Sequence, residues 1–384
     1  EIAALLSDIA DPIQRTEDQE SLLQELQFVE QKVKGFLPNF GIRVRMGPSS
    51  VTPNAFRIRI EGQIGVDTAK IERLRDQFKT VTALSLIQVE AEPGYLALSF
   101  RRTQRGVVSY LRCLEDRIVT APGVNTKVLL GQREDNGTLL YYDFSGADSH
   151  ALIGGMSNSG KSQLLGMMIL DLLLTNDPKY LQLVLIDPKQ VEFPRYRHAP
   201  HLHRHPIVRY KNEAMDVLSM LTNEMDRRYG LMGEWEVNDI EKYNALPGVK
   251  VLPRIVVIFD EVADWMLDDD FKRTVNDSFQ RLAGKARAAG IHLILSTQRP
   301  DNTVISPILR ANLGAKIALR VDKKNNSEII LDEGGAEHLL GQGHGIARLG
   351  GERYLFQSAF VPDEVRDRIL EALPSIYGSP QEHN

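Results

Sequence analysis

Residues 154–162 read Gly-Gly-Met-Ser-Asn-Ser-Gly-Lys-Ser. Gly155 and Gly160 bracket four residues, and Lys161 and Ser162 follow, which is the spacing G-x-x-x-x-G-K-[ST]. An apolar run (HALI) precedes the stretch and a helix-like run (QLLGMMILDLLL) follows it. A strand that turns sharply into a helix leaves unpaired N–H groups at the helix start, where the helix dipole favours negative charge. Glycines let the loop wrap an anion closely. Gly155, Met156, Ser157, Asn158, Ser159, Gly160, Lys161, Ser162 and Gln163 therefore read as a phosphate cradle for ATP. Lys161 reaches the β- and γ-phosphates, and the Ser162 hydroxyl binds Mg²⁺. A chance glycine-rich turn is the alternative, and the flanking strand and helix weigh against it.

Three other places carry chemical residue types. In RIVVIFDEVADW, Asp260 and Glu261 end an apolar run. One carboxylate can hold Mg²⁺ while the other orients and deprotonates an attacking water. The alternative is a helix N-cap. Gln298 follows the apolar run LILST, where it would sense a γ-phosphate or position water, unless it only begins the turn into Arg299 and Pro300. Lys285 and Arg287 sit at a helix end. A cation there completes a neighbouring subunit's site as an arginine finger, or simply complements the helix dipole. His198, His201, His203 and His205 crowd HAPHLHRHP, a tract that either binds metal or, given its prolines, forms a loop.

The elements that must position these residues alternate from His150 onward. HALIGG, LQLVLID, RIVVIFD, IHLILST and AKIALRV are short continuous apolar runs, as a parallel sheet covered on both faces requires. Helical patterns separate them. The expectation is a doubly wound, mainly parallel α/β domain with its site at the carboxyl ends of the strands. Upstream, Leu22, Leu26, Val29, Val33 and Phe36 fall at helical spacing, with Thr16 and Gln19 as a capping box. A small α+β segment follows, with strands in FRIRIEG, LSLIQVEAE and GYLALSFRR and a helix capped near Asp67. GVVSYLRCLED reads as a further helix, and a hairpin is expected around Asn136 and Gly137. Three regions result: an N-terminal helical segment (1–37), a small subdomain (38–120) and the main α/β domain (121–384).

The 384 residues suffice for two or three domains. The net charge of −5 argues against general affinity for nucleic acid, so any such site is a local basic stripe. Cys113 is the only cysteine, which excludes an internal disulfide and fits a reducing cytosol. No apolar run approaches a membrane span. The chain begins at Glu1 rather than methionine, as a fragment would, and an anchor outside it would not be visible.

From about Arg43 to Leu349 the sequence resembles the motor module of FtsK/SpoIIIE-type DNA translocases. The stretches that carry the resemblance are GGMSNSGKS, LVLIDPKQVEF, EMDRRYGLM, DEVADW, GKARAAGIHLILSTQRP, VISPILRANLGAKIALRV and GGAEHLLGQGHG, in the family's order. MGPSSVTPNAFRIRIEG resembles the family's α subdomain. The resemblance implies a RecA-like P-loop core, a cytoplasmic hexameric ring and double-stranded DNA in its channel, bound without regard to sequence. It makes Lys161 and Ser162 the nucleotide and Mg²⁺ residues, Asp260 and Glu261 the Walker B pair, and Gln298 the sensor. It puts DPKQVEF near the nucleotide and channel loops near 232–244 and 304–312. Arg310 is then the first DNA contact and Lys316 the second. Two departures stand out. The loop near 232–244 is acidic through Glu234, Glu236, Asp239 and Glu241, and the single helix before Asn384 leaves no room for a winged-helix reader of DNA polarity. A protein-export ATPase of the type VII kind is the alternative, although such exporters carry motors in tandem. A ring with little turnover is another, which the intact Lys161, Asp260 and Glu261 oppose.

Overall fold

A computed structural model describes residues 2–13, 19–115, 123–204 and 207–378. Thr16, His205 and the boundary expected at 120/121 lie outside the described residues. Two sheets organise the chain. The smaller holds β1 (Ser50–Val51), β2 (Ala55–Glu61), β3 (Leu86–Glu92) and β4 (Tyr95–Arg101) in the order β1-β2-β4-β3, all antiparallel. The helix Gln19–Phe36 buries Leu26, Val29, Val33 and Phe36 against this sheet, in one apolar cluster with Ile58, Ile60, Phe78, Leu98 and Phe100. The helix and the small sheet thus share a core. The expected Asp67 cap is present, its carboxylate accepting from Lys70 N at 2.8 Å.

The larger sheet has nine strands: β5 (Lys127–Arg133), β6 (Leu139–Asp143), β7 (Ala151–Gly154), β8 (Leu181–Ile186), β9 (Arg254–Phe259), β10 (Ile291–Thr297), β11 (Ala315–Leu319), β12 (His344–Leu349) and β13 (Glu352–Ser358). Their order is β6-β5-β13-β12-β11-β7-β10-β9-β8. All five runs read as parallel strands pair in parallel, from β11 to β8. The other half of the sheet, from β11 to β6, is antiparallel. The sheet is therefore mixed rather than mainly parallel, because the β12–β13 hairpin carries the β5–β6 hairpin onto its edge.

Side chains alternate between the faces of the parallel strands. Leu183, Leu185, Val256 and Ile258 point into one apolar cluster, while Val184, Ile186, Val257 and Phe259 point into the other. The helix Lys161–Thr175 fills the first and is buried nearly all round. The helices Lys211–Glu234 and Asp269–Lys285 cover the second. Within the first cluster Asp171 is fully buried and accepts from Tyr110 Oη (3.2 Å) and Leu129 N (2.9 Å), so the central helix is tied to β5. Among the described residues no helix is long and apolar enough to cross a membrane.

Candidate active site

The phosphate loop leaves β7 at the middle of the sheet and is fastened on three sides. Gly155 N donates to Thr297 O at 3.2 Å, Met156 N to Arg320 O at 2.8 Å, and Gly343 N to Ser159 O at 2.8 Å. Gly160 caps the following helix with φ +99°, and a Cβ there would lie 2.4 Å from Gly343 N. Only glycine satisfies both conditions. Ser157 and Asn158 are exposed, and Ser162 is half-buried in the first helical turn. Gln163 is turned away from the loop, its Oε1 accepting from Arg366 at 2.8 Å.

The second strand end meets this loop directly. Lys161 is buried, and its Nζ donates to Asp260 Oδ1 at 2.5 Å and to Ser296 Oγ at 2.9 Å. Ser296 Oγ donates in turn to Asp260 Oδ1 at 3.0 Å. Glu261 takes the left-handed backbone conformation (φ +55°), which costs a non-glycine residue about 1–2 kcal/mol. Its carboxylate accepts from Thr297 Oγ1 (3.0 Å) and Gln298 N (2.8 Å), and these bonds hold the strained geometry. The helix Ala263–Met266 has no side-chain cap, so neither carboxylate serves as an N-cap. The Gln298 side chain reaches the phosphate loop, its Oε1 accepting from Ser157 Oγ at 2.9 Å.

Reading by motif missed three participants: Ser296, Thr297 and Lys189. Lys189 Nζ lies 3.9 Å from Glu261 Oε2 and 3.7 Å from Asp264 Oδ2. It belongs to DPKQVEF, whose turn is built by buried Asp187 accepting from Gln190 N, Glu192 N and Phe193 N at 3.0–3.1 Å. A lysine three residues past a buried strand was the available signal. Behind the loop stands His344, fully buried. Its imidazole is pushed down to about 3, first by burial and then by the charge of Arg105, so it adds no positive charge there.

The remaining expected residues lie elsewhere. Arg287 is exposed just before β10, whereas the site is at that strand's far end. Seven strand residues span ~20 Å, so Arg287 cannot reach its own chain's phosphates. Arg310 is half-buried, donating to Asn302 Oδ1 (3.0 Å) and Ile329 O (3.2 Å). Lys316 sits inside β11 with 14% of its side chain exposed, and its ammonium is ion-paired to Asp332. The acidic segment is partly neutralised, with Asp239 capping the helix Ile240–Asn244 and Glu241 bonding Arg254 at 2.5 Å. That segment joins Ala288 through Ile240 N, whereas Thr303 accepts from Lys272 near the opposite end of the helix Asp269–Lys285. The two expected channel loops are thus anchored toward opposite ends of that helix. In the histidine tract, His201 is buried with Nε2 donating to Asn176 O at 2.8 Å, and His203 pairs with Gln182. No cluster of three potential metal ligands occurs among the described residues.

A phosphate loop at the end of a central parallel strand, with its lysine bonded to the first of two adjacent carboxylates that end the next strand but one, defines a P-loop ATPase of RecA-like architecture. The sequence model of the FtsK/SpoIIIE family matches residues 123–302 of the chain. It is 33% identical over 375 residues to the DNA translocase FtsK of Clostridium tetani, covering 95% of this chain and 49% of that one. It is 33% identical over 354 residues to the DNA translocase SpoIIIE of Bacillus subtilis, covering 88% and 44%. The chain thus spans about half the length of the curated relatives it matches. In fold it is similar to the pCW3 conjugation coupling protein TcpA, whose monomer was solved with ATPγS (TM-score 0.61, 22% identity, 91% of this chain and 99% of that one). It is also similar to the cytoplasmic domain of the type VII secretion ATPase EccC of Thermomonospora curvata (TM-score 0.61, 21% identity, 72% and 35%).

Proposed function

We propose that this chain is the motor of an ATP-driven translocase that moves double-stranded DNA through the channel of a hexameric ring on the cytoplasmic side. The observation that carries the reading is the similarity to proteins named DNA translocases along nearly the whole chain, small subdomain included. The likeness to secretion ATPases is one of fold.

The roles follow from the geometry. Lys161, already held between loop and carboxylate, supplies the fixed cation for the β- and γ-phosphates. The Ser162 hydroxyl and the Asp260 carboxylate are oxygen donors of the kind Mg²⁺ takes, and the residues fit that ion. Bound there, Mg²⁺ would neutralise charge on the phosphates. Glu261 takes the proton from the attacking water, and Thr297 and the Gln298 amide keep its carboxylate aimed. Gln298, touching Ser157, reports whether the loop is filled. Arg287, remote from its own site, serves a neighbouring subunit's, so the ring is required for turnover. Arg310 contacts a DNA phosphate, which positions the duplex without reading bases.

The test is ATPase activity with and without duplex DNA at low salt. Stimulation by duplexes of unrelated sequence is expected. If duplex DNA neither binds nor stimulates, the cargo is not DNA, and a protein-threading motor takes its place.

A further inference from the structure

Where the two sheets meet, a polar joint is buried. Asn54, fully buried, donates from Nδ2 to Glu134 Oε1 at 2.6 Å and to Gln357 Oε1 at 2.9 Å. Arg105, beyond the end of β4, donates from Nε to Asn54 Oδ1 at 2.6 Å. Its guanidinium also donates to Gln357 Oε1 at 3.1 Å and to Gly341 O at 2.9 Å. Gln357, on β13, donates to Gln342 O at 2.9 Å. The joint therefore grips two successive carbonyls of the 341–343 turn.

That turn is the back wall of the phosphate loop. Gly343 N holds Ser159 O, and Gly343 lies where any side chain on Gly160 would have to go. The turn does not sustain itself. Gly341, Gln342 and Gly343 all have positive φ (+79°, +51° and +85°), and Gln342 has no glycine freedom to offset this. A strained conformation persists only when its surroundings over-determine it. Here the surroundings are Arg105 and Gln357 on one side and Ser358 N, donating to Gly343 O at 2.8 Å, on the other.

We infer that Arg105 is a positioning residue for nucleotide binding: from the small subdomain it fixes the 341–343 turn behind the phosphate loop, and so couples the seating of that subdomain to ATP affinity. The inference rests on the reading of the site as an ATP site. Arg105 touches no phosphate. It sets the direction of the loop amides that do, and by linkage a filled loop holds the subdomain more firmly.

Arg353 provides the control. It also joins the two sheets, through Glu90 (3.2 Å) and Gln88 (3.3 Å), but it does not grip the 341–343 turn. The experiment titrates a fluorescent ATP analogue with Mg²⁺ into the full chain and its Arg105→Ala, Arg105→Lys and Arg353→Ala variants, with thermal melting and ATPase kinetics alongside. Arg105→Ala should raise Kd and KM by about tenfold with kcat little changed, the scale of losing charged hydrogen bonds. Arg105→Lys should fall between, because an ammonium cannot serve Asn54 and Gly341 together. Arg353→Ala should melt earlier yet bind within about twofold of wild type. If Arg105→Ala binds like wild type, or Arg353→Ala weakens binding equally, the inference is wrong. If Arg105→Ala does not fold, Arg105→Lys decides, and wild-type affinity in that variant overturns the inference. A wild-type chain that binds no ATP analogue would instead remove the ATP reading itself.

Discussion

Lowering the pH from 7.5 to 5.5 should destabilise the protein steeply through its buried histidines. Among the described residues five histidines are buried, His150, His201, His203, His292 and His344, and the four other than His203 carry the argument. Burial pushes His150 and His201 down to about 4 and His344 to about 3, and it holds His292 well below its usual range with Arg254 assisting. Geometry gives the reason for three of them. His150 Nδ1 accepts from Leu293 N (3.0 Å), His292 Nε2 from Arg254 (3.1 Å) and His344 Nδ1 from Leu340 N (3.3 Å), so a proton on any of these nitrogens would face a donor. An unfolded imidazole titrates near 6.5. Because the folded values are depressed, stability is complete above pH 6.5 and is lost as the pH falls toward about 4. At pH 5.5 each unfolded imidazole is protonated about ten to one, worth about 1.4 kcal/mol, and four together amount to about 6 kcal/mol. That is comparable with the whole stability of many domains. One carboxylate acts in the opposite sense: burial holds Glu134 above its ordinary value, so its protonation as the pH falls favours the folded state. Glu224, where Arg227 and Arg228 overcome the effect of burial and hold the group at about 2, loses its contribution only below about pH 4.5. Urea unfolding at pH 7.5, 6.5 and 5.5, followed by fluorescence of Trp265 in its cage of Phe259 and Phe271, measures the loss. Equal unfolding free energies at pH 5.5 and 7.5 would refute the reasoning.

Other substitutions test the site. Lys161→Ala should abolish nucleotide binding by calorimetry and, by leaving Asp260 buried with only Ser296, cost about 3 kcal/mol of stability. Unchanged ATP turnover would sink the motor reading. Glu261→Gln should bind ATP normally but hydrolyse it about 10²–10⁴ times more slowly, and should fold, because the Thr297 hydroxyl can reverse to accept from the new amide; weakened binding with intact turnover would argue against a general base here. Arg287→Ala subunits mixed with Glu261→Gln subunits should regain part of the activity at junctions intact on both sides, whereas a fully active monomer in light scattering excludes a trans residue. Arg310→Ala should weaken duplex binding equally for all sequences and reduce the salt slope by about 0.9; an unchanged slope moves the DNA contact elsewhere.

The parallel half of the large sheet was legible because its strands are continuous apolar runs bounded by chemistry. The β12–β13 hairpin was not read, although Gly350 and Gly351 mark its turn. Its first strand begins His-Gly, and Gly345 there has its apolar partner in the ring of Phe356, a contact that no sequence window contains. Strand order was equally hidden, since β5 pairs with β13 from the other end of the chain. In the site, Lys161, Asp260 and Glu261 were readable from spacing alone. Lys189, Ser296 and Thr297 were not, because only the neighbouring of β8, β9 and β10 brings them to the carboxylates. The pairing of Lys316 with Asp332 was hidden for the complementary reason: the two are near in sequence, but no pattern marks the pair.

The sheet order has a consequence for synthesis on the ribosome. The strand that launches the phosphate loop, β7, is completed at Gly154, but one of its neighbours, β11, begins only at Ala315. At 5–20 residues per second, the nearly all-apolar helix Lys161–Thr175 waits roughly 10–30 s before the strands that shelter it exist. The 341–343 turn that backs the loop, and Gln357 that grips it, emerge later still. A nascent chain of this protein therefore holds its most hydrophobic helix without its full cover while about 140 further residues, from Thr175 to Ala315, are made. Its yield in a cell should depend on chaperone supply and on translation speed between β7 and β11 more than on the stability of the finished fold.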